Sequence, residues 1–203
     1  LPRSILILRV DLGLFGATIS TEYGGLGLSA TTYASIIERI SAVWMSVSGI
    51  VNSHLIMAAA VQRFGTARQK THYLPRFASG ELRGGIGLTE PDCGTDLQGI
   101  RTQAVGEDDH YVVNGAKTWI TNSAEGGILA VLVKTDRRAE PAHRGMSLLL
   151  IGKGPGFNVV RKLDKLGYKG IDTAELLFEN CKVSRENLIG EEEGRGLQQI
   201  RSG

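Results

Sequence analysis

The chain has 203 residues, enough to bury one or two cores, and its 42% apolar and 22% charged content excludes a disordered or fibrous polymer. Lysine and arginine exceed aspartate and glutamate by only 23 to 21, clustering no further than pairs such as Arg137-Arg138 and Arg161-Lys162, which excludes a nucleic-acid footprint. Cys93 and Cys181 lack a CxxC spacing, no signal-peptide pattern is visible, and the longest uninterrupted apolar runs, 55–61 and 128–133, fall short of the roughly 20 residues of a bilayer span, so the expectation is an intracellular protein with free thiols and no membrane span.

Residues 1–10 carry no pattern that marks an element. Gly13, Gly16 and the Gly24-Gly25-Leu26-Gly27 run predict a short helix and a loop. From Thr31 onward, Tyr33, Ile36, Ile37, Ile40, Val43, Trp44 and Val47 recur three and four apart, the stripe of an amphipathic helix with Ser29 as N-cap. A second, almost uniformly apolar helix is predicted over about residues 51–64, buried on more than one side and ended by Gly65. Thr66-Ala67-Arg68-Gln69 has capping-box form, and Pro75 is expected to break or restart the helix that follows.

Beyond Gly84 the period shortens to that of strands. Tyr111-Val112-Val113-Asn114-Gly115 followed by residues 116–121 predicts a hairpin about an Asn-Gly type I′ turn. Residues 127–133, 146–151, 157–160 and 173–178 are further short runs between Gly, Pro, Asp or Asn. Such spacing predicts a β-barrel or sandwich rather than βαβ units, and Leu197 and Ile200 begin another helix. Gly152-Lys153-Gly154-Pro155-Gly156 lacks the Walker spacing and reads as a turn between strands. His54, His72, His110 and His143 share no ligand spacing, so no metal is expected.

Two segments carry the most specific signal: Leu88-Thr89-Glu90-Pro91-Asp92-Cys93-Gly94-Thr95-Asp96, and Trp119-Ile120-Thr121-Asn122 some two dozen residues later. In order and separation they resemble the paired flavin-binding signatures of the acyl-CoA dehydrogenase family. The likeness extends to Tyr23-Gly24-Gly25-Leu26-Gly27, Leu163-Asp164-Lys165-Leu166-Gly167 and Phe178-Glu179-Asn180, and so covers nearly the whole chain. A flavin that accepts hydride at N5 gathers negative charge near N1 and its C2 carbonyl, which calls for hydrogen-bond donors there. The resemblance implies Thr121 at N5, Thr89 at the pyrimidine end, Trp119 over one ring face, and backbone groups of Leu88 and Ile120 completing the cradle. Pro91 biases Glu90 toward extended backbone, and Gly94 permits angles that other residues resist. Thr95, where the family more often has Ser, would meet the FAD pyrophosphate and the CoA arm of the substrate.

The same resemblance implies an α+β multidomain fold: a helical domain over residues 1–82, a middle β-barrel domain over 83–188, and the start of a C-terminal helical domain over 189–203. It implies α,β-dehydrogenation of an acyl-CoA thioester to a trans-2-enoyl-CoA by FAD, with an electron-transfer flavoprotein as acceptor and a homotetramer as assembly. The family's catalytic base is a Glu of the third domain, expected beyond residue 203; Glu38, Glu90 and Glu175 are poor substitutes, and no catalytic residue is assigned. Asn52, Ser53 and His54 either line an acyl pocket or simply open a helix, whereas Leu55 and Met57 read as core. Asp172-Thr173 resembles a loop that in the family meets a neighbouring subunit's cofactor. The expected compartment is the cytoplasm or the mitochondrial matrix. An acyl-CoA oxidase and a nonenzymatic flavin- or acyl-CoA-binding partner subunit are the alternatives.

Overall fold

A computed structural model describes residues 12–201; the patternless stretch at 1–10 lies outside the described residues. Two 3-10 turns, Leu14–Gly16 and Thr21–Tyr23, stand where a short helix was expected. Gly24 and Gly27, at φ 78° and 59°, bring the chain back so that the Gly27 and Leu28 amides donate to the Ile19 and Ala17 carbonyls.

Helix α1 spans Ala30–Phe64, and the Ser29 hydroxyl accepts from the Thr32 amide at 3.2 Å. The two predicted helices are thus one run with a kink at Trp44 (φ −154°, ψ 92°). Serine side chains take up polar groups at the break: Ser48 donates to the Met45 carbonyl at 2.9 Å, and its oxygen lies 2.6 Å from the Ser41 hydroxyl. Before the kink the predicted stripe is only half-buried, and Val43 is 89% exposed. After it, Val51, Leu55, Met57, Ala58 and Val61 are buried. By length and composition alone α1 is long and apolar enough to cross a membrane, which counting uninterrupted apolar runs did not reveal.

Helix α2 spans Ala67–Ala78 and carries the predicted capping box: Thr66 Oγ1 accepts from the Gln69 amide, and Gln69 Oε1 from the Thr66 amide. Pro75 does not break it. The lost bond and ring clash of a mid-helix proline cost about 3 kcal/mol, which burial of Tyr73, Leu74 and Phe77 on one face offsets.

Seven strands follow: β1 Gly84–Gly87, β2 Gln103–Gly106, β3 His110–Thr121, β4 Ile128–Lys134, β5 Met146–Gly152, β6 Phe157–Lys162 and β7 Thr173–Ser184, with a short helix α3 at Gly196–Arg201. They form one curled sheet, a half-barrel, in the order β1-β4-β2-β3-β7-β6, with β5 paired to β4. β1 lies parallel to β4, and β2 touches β4 only through Gln103 and Lys134; the remaining pairs are antiparallel.

The expected Asn-Gly hairpin does not form. β3 continues through Asn114 and Gly115 as a bulge against β7, because Asn114 Oδ1 accepts from the Asn180 amide at 2.8 Å and Gly115 (φ 146°) lies against Thr102 of the neighbouring segment. A Cβ on Gly115 would sit 2.5 Å from Thr102 Cα. Partners distant in sequence on both edges of β3 therefore override the local turn signal.

β4 and β5 are buried on both faces, which explains their unbroken apolar runs. Ile128, Ala130, Leu132, Met146, Leu148 and Leu150 pack against the helices, whereas Leu129, Val131, Val133, Leu149 and Ile151 point into the curl beside Tyr111, Phe157 and Phe178.

His54 lies in the helix-side core, edge-on to Phe15 and Phe77. Its Nδ1 accepts from the Gly84 amide at 3.3 Å, so Nε2 carries the proton and donates to the Phe77 carbonyl at 3.1 Å. It lies in the interior of α1 rather than at the start of a helix, because the two predicted helices are one run. Burial lowers its pKa to about 4 from 6.5. The unfolded chain therefore binds the proton first as pH falls, and stability that is complete above pH 6.5 declines toward pH 4 by about 3 kcal/mol. Urea unfolding across that interval should give a shallower decline in His54→Gln than in the wild type; equal slopes would count against a neutral buried imidazole.

Candidate flavin-type site on the Thr89 loop and the Trp119 bulge

β1 ends at Gly87 and carries Leu88, Thr89 and Glu90 alongside β3. The Thr118 amide donates to the Thr89 carbonyl at 3.0 Å and ties the two segments together. One turn back, Gly85 admits a close crossing: a Cβ there would sit 2.6 Å from the Thr121 carbonyl oxygen and 2.7 Å from the Ser53 hydroxyl. Thr89 and the Trp119–Thr121 region thus occupy adjoining segments over the middle of α1.

β3 abandons strand alternation at this point. Lys117 and Thr118 are both buried, Trp119 is 60% exposed, and Ile120 is buried again. The pairing with β7 slips between Lys117 and Ile120, and Trp119 takes φ 61°. For an aromatic residue that conformation costs on the order of 1–3 kcal/mol, and it turns the indole away from the sheet. Thr89 and Thr121, on either side, are half-buried. Among the described residues neither hydroxyl makes a hydrogen bond within the chain.

The other expected site residues contribute unequally. The Leu88 carbonyl accepts from Lys117 Nζ and the Ile120 carbonyl from the Ser123 hydroxyl, so each oxygen already has one partner within the chain. Gly94 is exposed and lies outside the left-handed region, so the latitude of glycine is not used there; a Cβ would meet only Thr89 Cγ2, at an ordinary 3.6 Å. Thr95 follows it, exposed, with no hydrogen bond to Thr89 or Trp119 among the described residues. Its loop is a tight turn in which the Glu90 amide donates to the Cys93 carbonyl at 2.8 Å and the Cys93 amide returns to Glu90 at 3.2 Å.

Three residues to which sequence reading gave no structural role, Lys117, Asn122 and Asp172, hold these segments. Lys117 Nζ lies 2.8 Å from Glu90 Oε1, with side-chain exposures of 0% and 6%. Burial alone would raise the Glu90 carboxyl, but Lys117, Thr102 and the Arg101 amide together hold it below its usual value. Burial lowers the Lys117 ammonium, with Glu90 partly offsetting. Asn122 is buried at φ 60°, its Nδ2 donating at 2.9 Å to the carbonyls of Ile50 on α1 and Gly84 on β1. Asp172 Oδ2 accepts from the Ala124 and Glu125 amides, and its backbone carbonyl from the Asn122 amide. Asn122 closes the Trp119 signature and Asp172 lies in a loop the resemblance marked, whereas Lys117 carried no visible signal.

The three glutamates weighed from the sequence are engaged or remote. Glu90 is consumed by Lys117 and two backbone amides, Glu38 is exposed on α1, and Glu175 pairs with Arg161 at 2.7 Å.

Residues 2–81 match the family model for the N-terminal domain of acyl-CoA dehydrogenases, and residues 85–181 match the model for the middle domain. The mitochondrial isovaleryl-CoA dehydrogenase of Pongo abelii is 38% identical over 195 residues, which cover 95% of this chain and 46% of that protein. An acyl-CoA dehydrogenase structure from Geobacillus kaustophilus superposes with a TM-score of 0.94 at 39% identity, covering 100% of this chain and 53% of that one. One from Bacillus anthracis, described as complexed with FAD, gives 0.87 at 34% identity, covering 95% and 32%. The chain spans about half the length of the curated relatives it matches.

Proposed function

Because the chain belongs to the acyl-CoA dehydrogenase family, we propose that the Thr89 loop and the Trp119 bulge seat FAD for α,β-dehydrogenation of an acyl-CoA thioester by the whole protein. The observation that carries this reading is the exposed, positive-φ Trp119 set between two threonines whose hydroxyls are unspent within the chain. The slip against β7 gives Trp119 its backbone, and a planar aromatic ligand with acceptors along its edge would use the exposed indole and the two open hydroxyls.

FAD, when bound, supplies the acceptor for the hydride leaving the substrate's β carbon. Thr121 and Thr89 would hold the ring edge by hydrogen bonds from their hydroxyls, and the exposed Trp119 indole would lie against the ring. Thr95, on its exposed turn, would hold the FAD pyrophosphate and the CoA arm. The proton from the α carbon goes to a carboxylate that we place outside these 203 residues, since Glu90, Glu38 and Glu175 are engaged or remote. We take residues 1–82, 83–188 and 189–203 as the helical domain, the flavin domain and the beginning of a further helical domain. An electron-transfer flavoprotein is the proposed acceptor, a homotetramer the proposed assembly, and the mitochondrial matrix or cytoplasm the proposed compartment.

Anaerobic addition of acyl-CoAs to the FAD-loaded full-length protein should bleach the flavin absorbance. Thr121→Ala should slow that bleaching by about 100-fold, the usual cost of removing one preorganised donor. A full-length protein that takes up no FAD would sink the reading, and rapid peroxide formation on re-aeration would turn it toward an oxidase.

A further inference from the structure

Lys117 sits in the wall of β3, two residues before Trp119, and its side chain is wholly buried. Its ammonium spans two segments: Nζ donates to the Leu88 carbonyl at 2.9 Å and to Glu90 Oε1 at 2.8 Å, which brackets Thr89 on both sides. The Glu90 carboxylate is fixed in turn, Oε2 accepting from the Arg101 amide at 2.6 Å and Oε1 from the Thr102 amide at 3.0 Å. Thr102 Oγ1 closes the circuit by donating to the Ala116 carbonyl, next to Lys117.

A fold does not need this arrangement. Burying an ion pair costs more desolvation than its attraction usually returns, and apolar residues of equal volume serve stability as well or better. What the pair adds is register. It couples the Thr89 segment to the strand just before the Trp119 bulge, with one ammonium touching both flanks of Thr89 and the Thr118 amide holding its carbonyl. Releasing Lys117 would free Leu88 and Glu90 to shift against Trp119 and Thr121 while leaving β3 paired to β7.

We propose that the Lys117–Glu90 pair is a positioning device that sets Thr89 against Trp119 and Thr121, and through them fixes the affinity and electronic environment of the bound isoalloxazine; this rests on the flavin reading above. Lys117 and Glu90 act through Thr89, not on the ligand.

The test uses the full-length protein, its Lys117→Met variant and the double variant Lys117→Met/Glu90→Gln, with FAD as the probe. Flavin fluorescence gives the dissociation constant, visible circular dichroism with FAD in excess gives the environment of the bound ring, and melting without FAD gives stability. Lys117→Met strands a buried carboxylate and should lower the melting temperature. The double variant removes that charge and keeps an acceptor for the Thr102 amide but sets an NH2 group against the Arg101 amide, so it should regain part of the loss.

Both variants should bind FAD at least about tenfold more weakly, the scale of one lost buried bond to a charged group. Both should also show an altered visible dichroism band when saturated. If Lys117→Met fails to fold, the double variant decides alone. A double variant that binds FAD as tightly as the wild type, with the same dichroism, overturns the proposal and leaves the flavin reading standing. A wild-type protein that does not bind FAD overturns both.

Discussion

Asn122→Asp is expected to lower the unfolding free energy by about 4 kcal/mol, because it turns two satisfied buried carbonyls against a carboxylate. The Asn122 Nδ2 group donates to Ile50 on α1 and Gly84 on β1, both at 2.9 Å, and so pins the end of β3 to the helix and to the sheet's first strand. Aspartate has the same shape and tolerates φ 60° about as well as asparagine, so the backbone cost is held constant while both donors disappear. Urea unfolding monitored by tryptophan fluorescence measures the loss. A change below about 1 kcal/mol would mean that these bonds do not carry the junction.

Gly84→Ala should cost about 3 kcal/mol, at the upper end of overpacking effects. The new Cβ would stand 1.9 Å from the Ile128 carbonyl oxygen and 2.9 Å from Met57 Sδ, and backbone cannot yield as a flexible side chain can. Gly84 also donates its amide to His54 and lends its carbonyl to Asn122, so a shift of β1 disturbs both. Three residues along the same strand, Gly87 provides the control: a Cβ there meets Val131 Cγ2 at 3.5 Å, ordinary contact, and Gly87→Ala should change stability by less than about 1 kcal/mol. Similar melting temperatures for the two variants would contradict the steric argument.

How far sequence reading reached depended on the range of the interactions involved. Ser29 and Thr66 cap helices through amides three residues away, so their roles were legible from spacing alone. The unbroken apolar runs of β4 and β5 were legible as strands because burial on both faces leaves no alternation to mask them. Asn114-Gly115 misled because a strong local turn signal was used as a bulge once Thr102 and Asn180 came alongside. Pro75 misled for a related reason: Leu74 and Phe77 are held by packing that no window around the proline contains. At the site, residue types pointed to Thr89, Trp119 and Thr121, but the left-handed backbone of Trp119 arises from a slip against β7, a strand more than fifty residues away. Glu90 read as part of the Thr89 loop, not of a buried pair; its partner Lys117 is 27 residues distant, and a lysine on a strand carries no mark that it will be buried.

The double duty of β4 and β5 bears on how this protein can be cut or recombined. Ile128, Leu132, Met146 and Leu150 are lipophilic on the side turned to α1 and α2, so excising the helices would leave a greasy plane in water and invite precipitation. Chimeras that swap the half-barrel between relatives should accordingly stay monodisperse only when the helical half is exchanged with it, as one inheritable cassette.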